Sequence, residues 1–284
     1  MHSCMSAIKN KVLIQRRDDV NIVVCVKPVP DPEQYDKLRL DPVTKRLVRE
    51  GIDSIVNPTD KNALEAGLAL RDKFGGKVIV VAMCPDFNAP QIKECLAMGA
   101  DEAYILSDRA FGGADTFATS YTLVQGFKKI GIEADIVLGG NESADGATSQ
   151  MISQIGEWME LPHVSNIIEM EVEDGVAKVK KKTPNGYVAY EVELPAVIGI
   201  ARGANKPRMV TAMGIIKSKN KPLTIYGKAD LDVDEKYIGL PGSPTQPGSF
   251  IEPDMARAGV KIEGEPEEIA DKIIDVIKKS GYQL

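Results

Sequence analysis

Short apolar runs alternate along the chain with amphipathic ones. Asn21–Val26 and Lys77–Met83 are continuous apolar runs of strand length, the pattern of parallel strands buried on both faces. Glu102–Leu106 and Asp135–Leu138 read as two more. Helical patterns lie between them. Asn57, Pro58, Thr59 and Asp60 supply N-terminal caps; Ala63, Gly67, Leu70 and Phe74 recur on one face, and Gly75-Gly76 stops the run. A second helix near Gln91–Met98 ends at Gly99, and a third, Thr116–Ile130, has Asp115 as N-cap and Gly131 past its end. Repeated β-α units of this length predict an α/β fold with a doubly wound, mostly parallel sheet and ligands at the carboxyl ends of its strands.

After His163 the pattern changes to alternation and turns. Val164–Val172, Val176–Lys182 and Tyr187–Glu193 are joined by Asp174-Gly175 and Pro184-Asn185-Gly186, which predicts antiparallel strands added to the sheet. Leu194–Ile200 returns as a buried strand, and Arg202–Lys221 turns basic and small. Pro241, Pro244, Pro247 and Pro253 denote an extended arm, and an amphipathic helix follows at Pro266–Lys279 with Ile269, Ile273 and Ile277 on one face. The expected organisation is an N-terminal extension over 1–20, a nucleotide-binding core over 21–226 and a C-terminal arm with its helix over 227–284.

The stretch from Asp135 to Met151 carries the most chemistry. An apolar strand runs into Gly139-Gly140, then a polar loop, then Thr148 and Ser149 at the head of an amphipathic run. Backbone N–H groups and hydroxyls converge there as they do around a nucleotide phosphate, in a Rossmann-like arrangement. A tight turn before a capped helix is the plainer reading of the same residues.

Composition narrows the classes. A net charge of −6 argues against nucleic acid as a main partner, and no apolar stretch reaches membrane-spanning length. Cys4, Cys25, Cys84 and Cys95 have no paired spacing, so reduced thiols in a cytoplasmic protein are expected. The apolar patch Val12–Ile14 is too short for the core of a secretory signal. No phosphate-loop motif with its lysine is present, which disfavours a nucleotide-hydrolysing or adenylating enzyme.

Taken in order, several short motifs carry a family resemblance: Val26-Lys27-Pro28-Val29-Pro30-Asp31, Val56-Asn57-Pro58, Ala97-Met98-Gly99-Ala100-Asp101, the loop after Asp135, and Leu194-Pro195-Ala196-Val197 followed by Asn205-Lys206-Pro207-Arg208. From about residue 21 onward the chain resembles the β subunits of electron transfer flavoproteins, the group that includes FixA. The resemblance implies a heterodimer with an α subunit, whose FAD exchanges electrons with a flavin-dependent dehydrogenase of acyl-CoA or hydroxyacid type. It implies an adenine nucleotide in this chain: AMP in simple carriers, or a second FAD in the electron-bifurcating branch, where NAD(H) also binds. Its nucleotide contacts fall on Cys25, Asn57, Pro58, Thr59, Asp60, Met83 and the loop Gly140, Asn141, Glu142, Ser143, Ala144, Asp145, Gly146, Ala147, Thr148, Ser149 and Gln150; Lys27 to Asp31 is the expected flavin-ring side. The C-terminal arm is expected to pack on the α subunit.

Two departures from the family pattern stand out. FAD-binding members carry Asp-Gly-Asp-Thr-Gly-Gln; here Ala147 stands for the second Asp and Ser149 for the Gly, with the spacing of the FAD form. In the partner-recognition loop, expected to project over 208–219, a Leu-Pro pair is replaced by Ala212-Met213, followed by Gly214. Losing a leucine anchor removes on the order of 1–3 kcal/mol of burial, which points to a dehydrogenase other than an ordinary acyl-CoA dehydrogenase or to Met213 as anchor. His163 reads as a turn residue, Trp158 as core packing, and Lys217, Lys219 and Lys221 as a solvated run beside the docking loop.

Overall fold

The structure, a computed structural model, describes residues 20–37, 39–40, 47–48, 51–246, 248, 259 and 261–281. The expected extension thus lies outside the described residues apart from Val20, which already belongs to the first strand, β1 (Val20–Cys25). Three short pieces follow, β2 (Pro28–Pro30), β3 (Arg39–Leu40) and β4 (Leu47–Val48), and then β5 (Ser54–Val56), which pairs antiparallel with β2. Helix α1 (Pro58–Phe74) leads to β6 (Gly76–Met83), and α2 (Ala89–Met98) leads to β7 (Glu102–Leu106). From there α3 (Thr116–Ile130) crosses back to β8 (Ile136–Gly140), which is followed by α4 (Met151–Met159).

An antiparallel meander comes next: β9 (His163–Glu173), β10 (Val176–Thr183) and β11 (Gly186–Glu193). Strand β12 (Ala196–Ile200) then inserts parallel between β8 and β9, and a short helix α5 (Ala212–Ser218) precedes β13 (Leu223–Tyr226). The resulting nine-stranded sheet has the order β11-β10-β9-β12-β8-β1-β6-β7-β13. The expected doubly wound sheet with added antiparallel strands is what forms.

Apart from Asn21 and Lys77 near their starts, the central strands β1, β6 and β8 are apolar or glycine throughout because both faces are covered. Ile22, Val24, Val78, Val80, Ile136 and Leu138 point into one core with α1 and α2, while Val23, Ile79, Val81 and Val137 point into a second with α3 and α4. Helix α1 lies close to β1 because Gly67 faces it: a Cβ there would sit 3.2 Å from Ile22 and 3.3 Å from Val24. Chain order makes β1 and β8 special. After β1 the chain winds outward through β6 and β7, then returns to β8 on the opposite side of β1, so the crevice between their carboxyl ends is the topological switch point.

Several expectations need correction. The helix after Thr148-Ser149 begins only at Met151, because positive φ angles at Ala147 (47°) and Ser149 (55°) break the helical path. The segment 208–219 is not a loop throughout: Thr211 accepts the Gly214 N–H at 3.0 Å and starts α5, which packs on α2. Strands β2, β5 and β13 carry no periodic signal in the sequence. The stretch from Gly239 is not an extended arm as far as it is described. Ser243 accepts from Asp115 N–H and donates to the Gly239 carbonyl, and Thr245 bonds the Asp115 carboxylate, so prolines 241 and 244 sit in turns against the start of α3. Pro247 and Pro253 lie outside the described residues.

The described residues from Gly248 onward belong to a second compact unit, separate from that of the preceding chain. Its helix α6 (Pro266–Lys279) spans the expected residues, with Glu267 and Glu268 in the first turn and Lys278 and Lys279 in the last, each complementing the helix dipole. Ile273, Ile274 and Val276 on it are exposed. Trp158 packs in a cluster with Phe117, Tyr121 and Tyr237, ring centroids 5.1–6.1 Å apart, as a core residue does. Cys25, Cys84 and Cys95 are free thiols, and Cys4 lies outside the described residues. No helix among the described residues is long and apolar enough to cross a membrane.

Candidate functional site

At the switch point the first turn of α1 meets the loop after β8. Asn57 occupies the N-cap position of α1, but its side chain does not cap the helix, contrary to expectation. It reaches outward instead: Nδ2 donates to the Glu142 carbonyl at 2.9 Å, and Oδ1 accepts from the Ala144 N–H at 3.1 Å. Pro58 at the first helical position lacks an N–H, so one of the helix's unpaired first-turn donors is absent. Thr59 Oγ1 also donates to the Glu142 carbonyl. The loop is thereby fixed to the helix by both hydrogen-bonding ends of one buried amide.

Asp60 ties the strands together beneath that loop. Its carboxylate accepts from the Lys27 N–H at the end of β1 (2.8 Å), from the Gly140 N–H at the end of β8 (3.1 Å) and from Asn57 Nδ2 (3.0 Å). Burial pushes the Asp60 carboxyl up to about 7 against those donors, which pull it down. Cys25, one residue before Val26, is half-buried near Asp60 and its thiol is pushed up, first by burial and then by the nearby carboxylate; it is a packing residue rather than a nucleophile. Gly140 is required by contact: a Cβ would lie 2.4 Å from Asp60 Oδ1 and 2.5 Å from Thr59 Oγ1.

The outer wall of the crevice is closed by an ion pair. Lys27 Nζ donates to both oxygens of Asp145, at 2.7 and 2.8 Å, across 118 residues of sequence. Burial raises the Asp145 carboxyl, but the Lys27 ammonium outweighs it and holds the group below the usual carboxylate range. Asn141, Ser149 and Glu142 form a side-chain chain inside the loop: Asn141 Nδ2 donates to Ser149 Oγ, which donates to Glu142 Oε2, each at 3.3 Å. Ser143 accepts the Gly146 N–H on its hydroxyl and the Ala147 N–H on its carbonyl.

This geometry presents backbone donors. Ser149 with positive φ is followed by Gln150 in the right-handed region, the alternation that turns successive N–H groups toward one concavity. Gln150 precedes α4 as its N-cap residue without a side-chain cap, leaving the first-turn N–H groups with no acceptor from it. Two strained non-glycine residues within three positions, each costing on the order of 1–3 kcal/mol, mark a loop whose shape the surroundings impose. The arrangement fits an anionic group such as a phosphate, with exposed Thr148, Ala147 and Gly146 at its mouth.

The remaining expected residues fall elsewhere. Met83 ends β6, one strand over from β1, half-buried in the second core. Ala212, Met213 and Gly214 are in the first turn of α5, against α2, away from the hydrogen bonds that build the crevice. Met209, Met213, Ile215 and Ile216 are exposed there, Met209 at 84%. His163 opens β9, exposed and seated over Gly156. What sequence reasoning missed was the pairing itself: Lys27 with Asp145, and Asn57 with the loop rather than its own helix.

Known proteins share this chain's sequence over nearly its whole length. The family model for the electron transfer flavoprotein domain matches residues 44–231. The chain is 40% identical over 92% of its length, and 98% of the relative's, to caffeyl-CoA reductase-Etf complex subunit CarD of Acetobacterium woodii. It is 39% identical, over 93% of its length and 100% of the relative's, to the electron transfer flavoprotein subunit beta of Clostridium acetobutylicum. It is 34% identical to the acryloyl-CoA reductase electron transfer subunit gamma of Anaerotignum propionicum, over 90% of this chain and 97% of that one. The chain belongs to the electron transfer flavoprotein family, among its β subunits.

The raised Asp60 carboxyl gives a pH test. Between about pH 4 and 7 the native state holds a proton the unfolded chain has released, so stability falls as pH rises through that window, by up to about 1.4 kcal/mol for each pH unit. Asp60→Asn removes the titration. Urea unfolding at pH 5 and pH 8 is expected to show the parent losing stability relative to Asp60→Asn as pH rises; a parent that gains relative to the variant would mean the three donors dominate.

Proposed function

We propose that the crevice between β1 and β8 holds FAD, and that this chain passes electrons between NAD(H), the FAD of an α subunit and a partner dehydrogenase by flavin-based electron bifurcation. The observation that carries the reading is the loop from Gly140 to Gln150. Its glycine closes on α1, its strained residues turn N–H groups inward, and its spacing from Asp145 to Gln150 resembles that of FAD-binding relatives. The two relatives named for caffeyl-CoA and acryloyl-CoA reductases support a flavin-dependent dehydrogenase that handles CoA thioesters; a hydroxyacid dehydrogenase is the other partner type to test. A heterodimer with an α subunit in the cytoplasm is the setting this reading requires.

Bound FAD supplies the electron chemistry. The chain's own residues bind and orient. Backbone N–H groups from Ser149 into α4 would hold the diphosphate, the Asp145 carboxylate would accept from ribose hydroxyls, the loop hydroxyls would donate to phosphate oxygens, and Lys27 through Asp31 would border the ring. Asp60, raised by burial to about 7, is only partly ionised near neutral pH and so adds less than a full negative charge beneath a phosphate. The replacement of a second loop carboxylate by Ala147 acts in the same direction, since it removes a repulsive charge from the cradle.

Absorbance and extraction of the purified heterodimer test the assignment. Two FAD per heterodimer are expected; one FAD with one extractable AMP would make this chain a structural AMP holder in a non-bifurcating carrier. Docking is tested separately at the exposed Met213. Met213→Ala is expected to slow electron transfer to the partner dehydrogenase about tenfold, from the lost burial of one apolar side chain, while NADH oxidation by an artificial acceptor is retained. Unaltered transfer to the partner would remove α5 from the docking face.

A further inference from the structure

Two residues on α1 hold a segment 143 positions further along the chain. Asn62, 5% exposed, donates from Nδ2 to the backbone carbonyl of Asn205 at 2.8 Å and to its Oδ1 at 2.9 Å. In return Asn205 Nδ2 donates to the Asn62 carbonyl at 2.9 Å, and the Gly203 N–H donates to Asn62 Oδ1 at 3.2 Å. One turn on, the Glu65 carboxylate accepts the Arg208 N–H at 2.9 Å, Nε at 2.8 Å and Nη2 at 3.0 Å. Arg208 Nη2 also reaches Asp72 at 3.0 Å.

The fork between Glu65 and Arg208 is charge-assisted and bidentate, the geometry that fixes direction as well as distance. The Glu65 side chain is only 15% exposed, so solvent competes weakly for it. Immediately beyond the fork the chain leaves the core: Met209 is 84% exposed, and the apolar side chains Met213, Ile215 and Ile216 follow. At the far end Lys221 Nζ donates to the carbonyls of Leu96 and Gly99, fixing the chain to the end of α2. The segment 209–218, in which Val210 joins the first core and α5 packs on α2, thus presents its exposed apolar side chains between two further fixed points, one of them on α1. That helix also carries Asn57, Thr59 and Asp60 at its start.

We infer that Asn62 and Glu65 are positioning residues that mount the partner-docking segment on the helix whose first turn builds the nucleotide cradle. The docking face and the cofactor then keep one spacing, which an electron transfer site needs and a freely swinging loop would not provide. The inference rests on the assignment of 209–218 as the docking segment.

Hydrogen–deuterium exchange on the intact heterodimer tests it without the partner. In Glu65→Ala, amides of 209–218 are expected to exchange about tenfold faster than in the parent, since one charge-assisted pair is lost. Glu65→Gln, which keeps the shape and one acceptor, is expected to fall between them. Amides of 140–150 and bound nucleotide content are expected to match the parent. Arg208→Gln removes the fork from the other side and decides the matter if Glu65→Ala does not fold. Unchanged exchange in 209–218, or an equal rise in 209–218 and 140–150, would overturn the inference. Electron transfer by Met213→Ala reports on docking itself, so either idea can fail with the other standing.

Discussion

The structure turns on one buried amide. Asn57 gives both ends of its side chain to the loop after β8, and Asp60, three residues on, ties that loop's first residue to the end of β1. Remove these bonds and the two central strands still pair, because their register rests on backbone ladders and on apolar cores. What is lost is the shape of the crevice at their ends. A buried amide left half-satisfied costs about 1–3 kcal/mol, so the loop has one favoured seat and the helix start has one favoured occupant.

Charge in this crevice is arranged to be quiet. Lys27 and Asp145 neutralise each other, and burial raises the Asp60 carboxyl to about 7, so that it is only partly ionised at neutrality. An anion bound there would be met by backbone dipoles, which need no counter-charge and do not reorganise. Ser149 and Ala147 hold the left-handed conformations usually left to glycine, and Ser149 is kept there by hydrogen bonds to Asn141 and Glu142. The side-chain chain thus does for the loop what a glycine would do by conformational freedom.

Much of this was legible in the sequence. Largely apolar runs located β1, β6, β7 and β8, because strands covered on both faces admit few polar residues. Asp115 and Gly131 bounded α3 to the residue, since capping is local chemistry. The strand-glycine-loop pattern located the crevice. The short strands β2, β5 and β13 escaped because they are set by tertiary pairing: Pro28–Pro30 is a strand only because Ser54–Val56 lies beside it. Asn57 was legible as a cap and not as a clamp, because a side chain's choice between its own helix and a loop 85 residues away depends on where the loop arrives. The start of α4 was misplaced for a related reason, as nothing in Thr148 or Ser149 signals a positive φ.

The most direct measurement is the nucleotide retained by the heterodimer carrying Asn57→Ala after exhaustive desalting. If the first turn of α1 holds the cradle loop, retained nucleotide in this chain falls to a small fraction of the parent's while the melting temperature drops by only a few degrees, as expected for about 1–2 kcal/mol in a domain of this size. Full retention of nucleotide with the loop bonds removed would contradict the account, and the crevice would have to be held open by something other than Asn57.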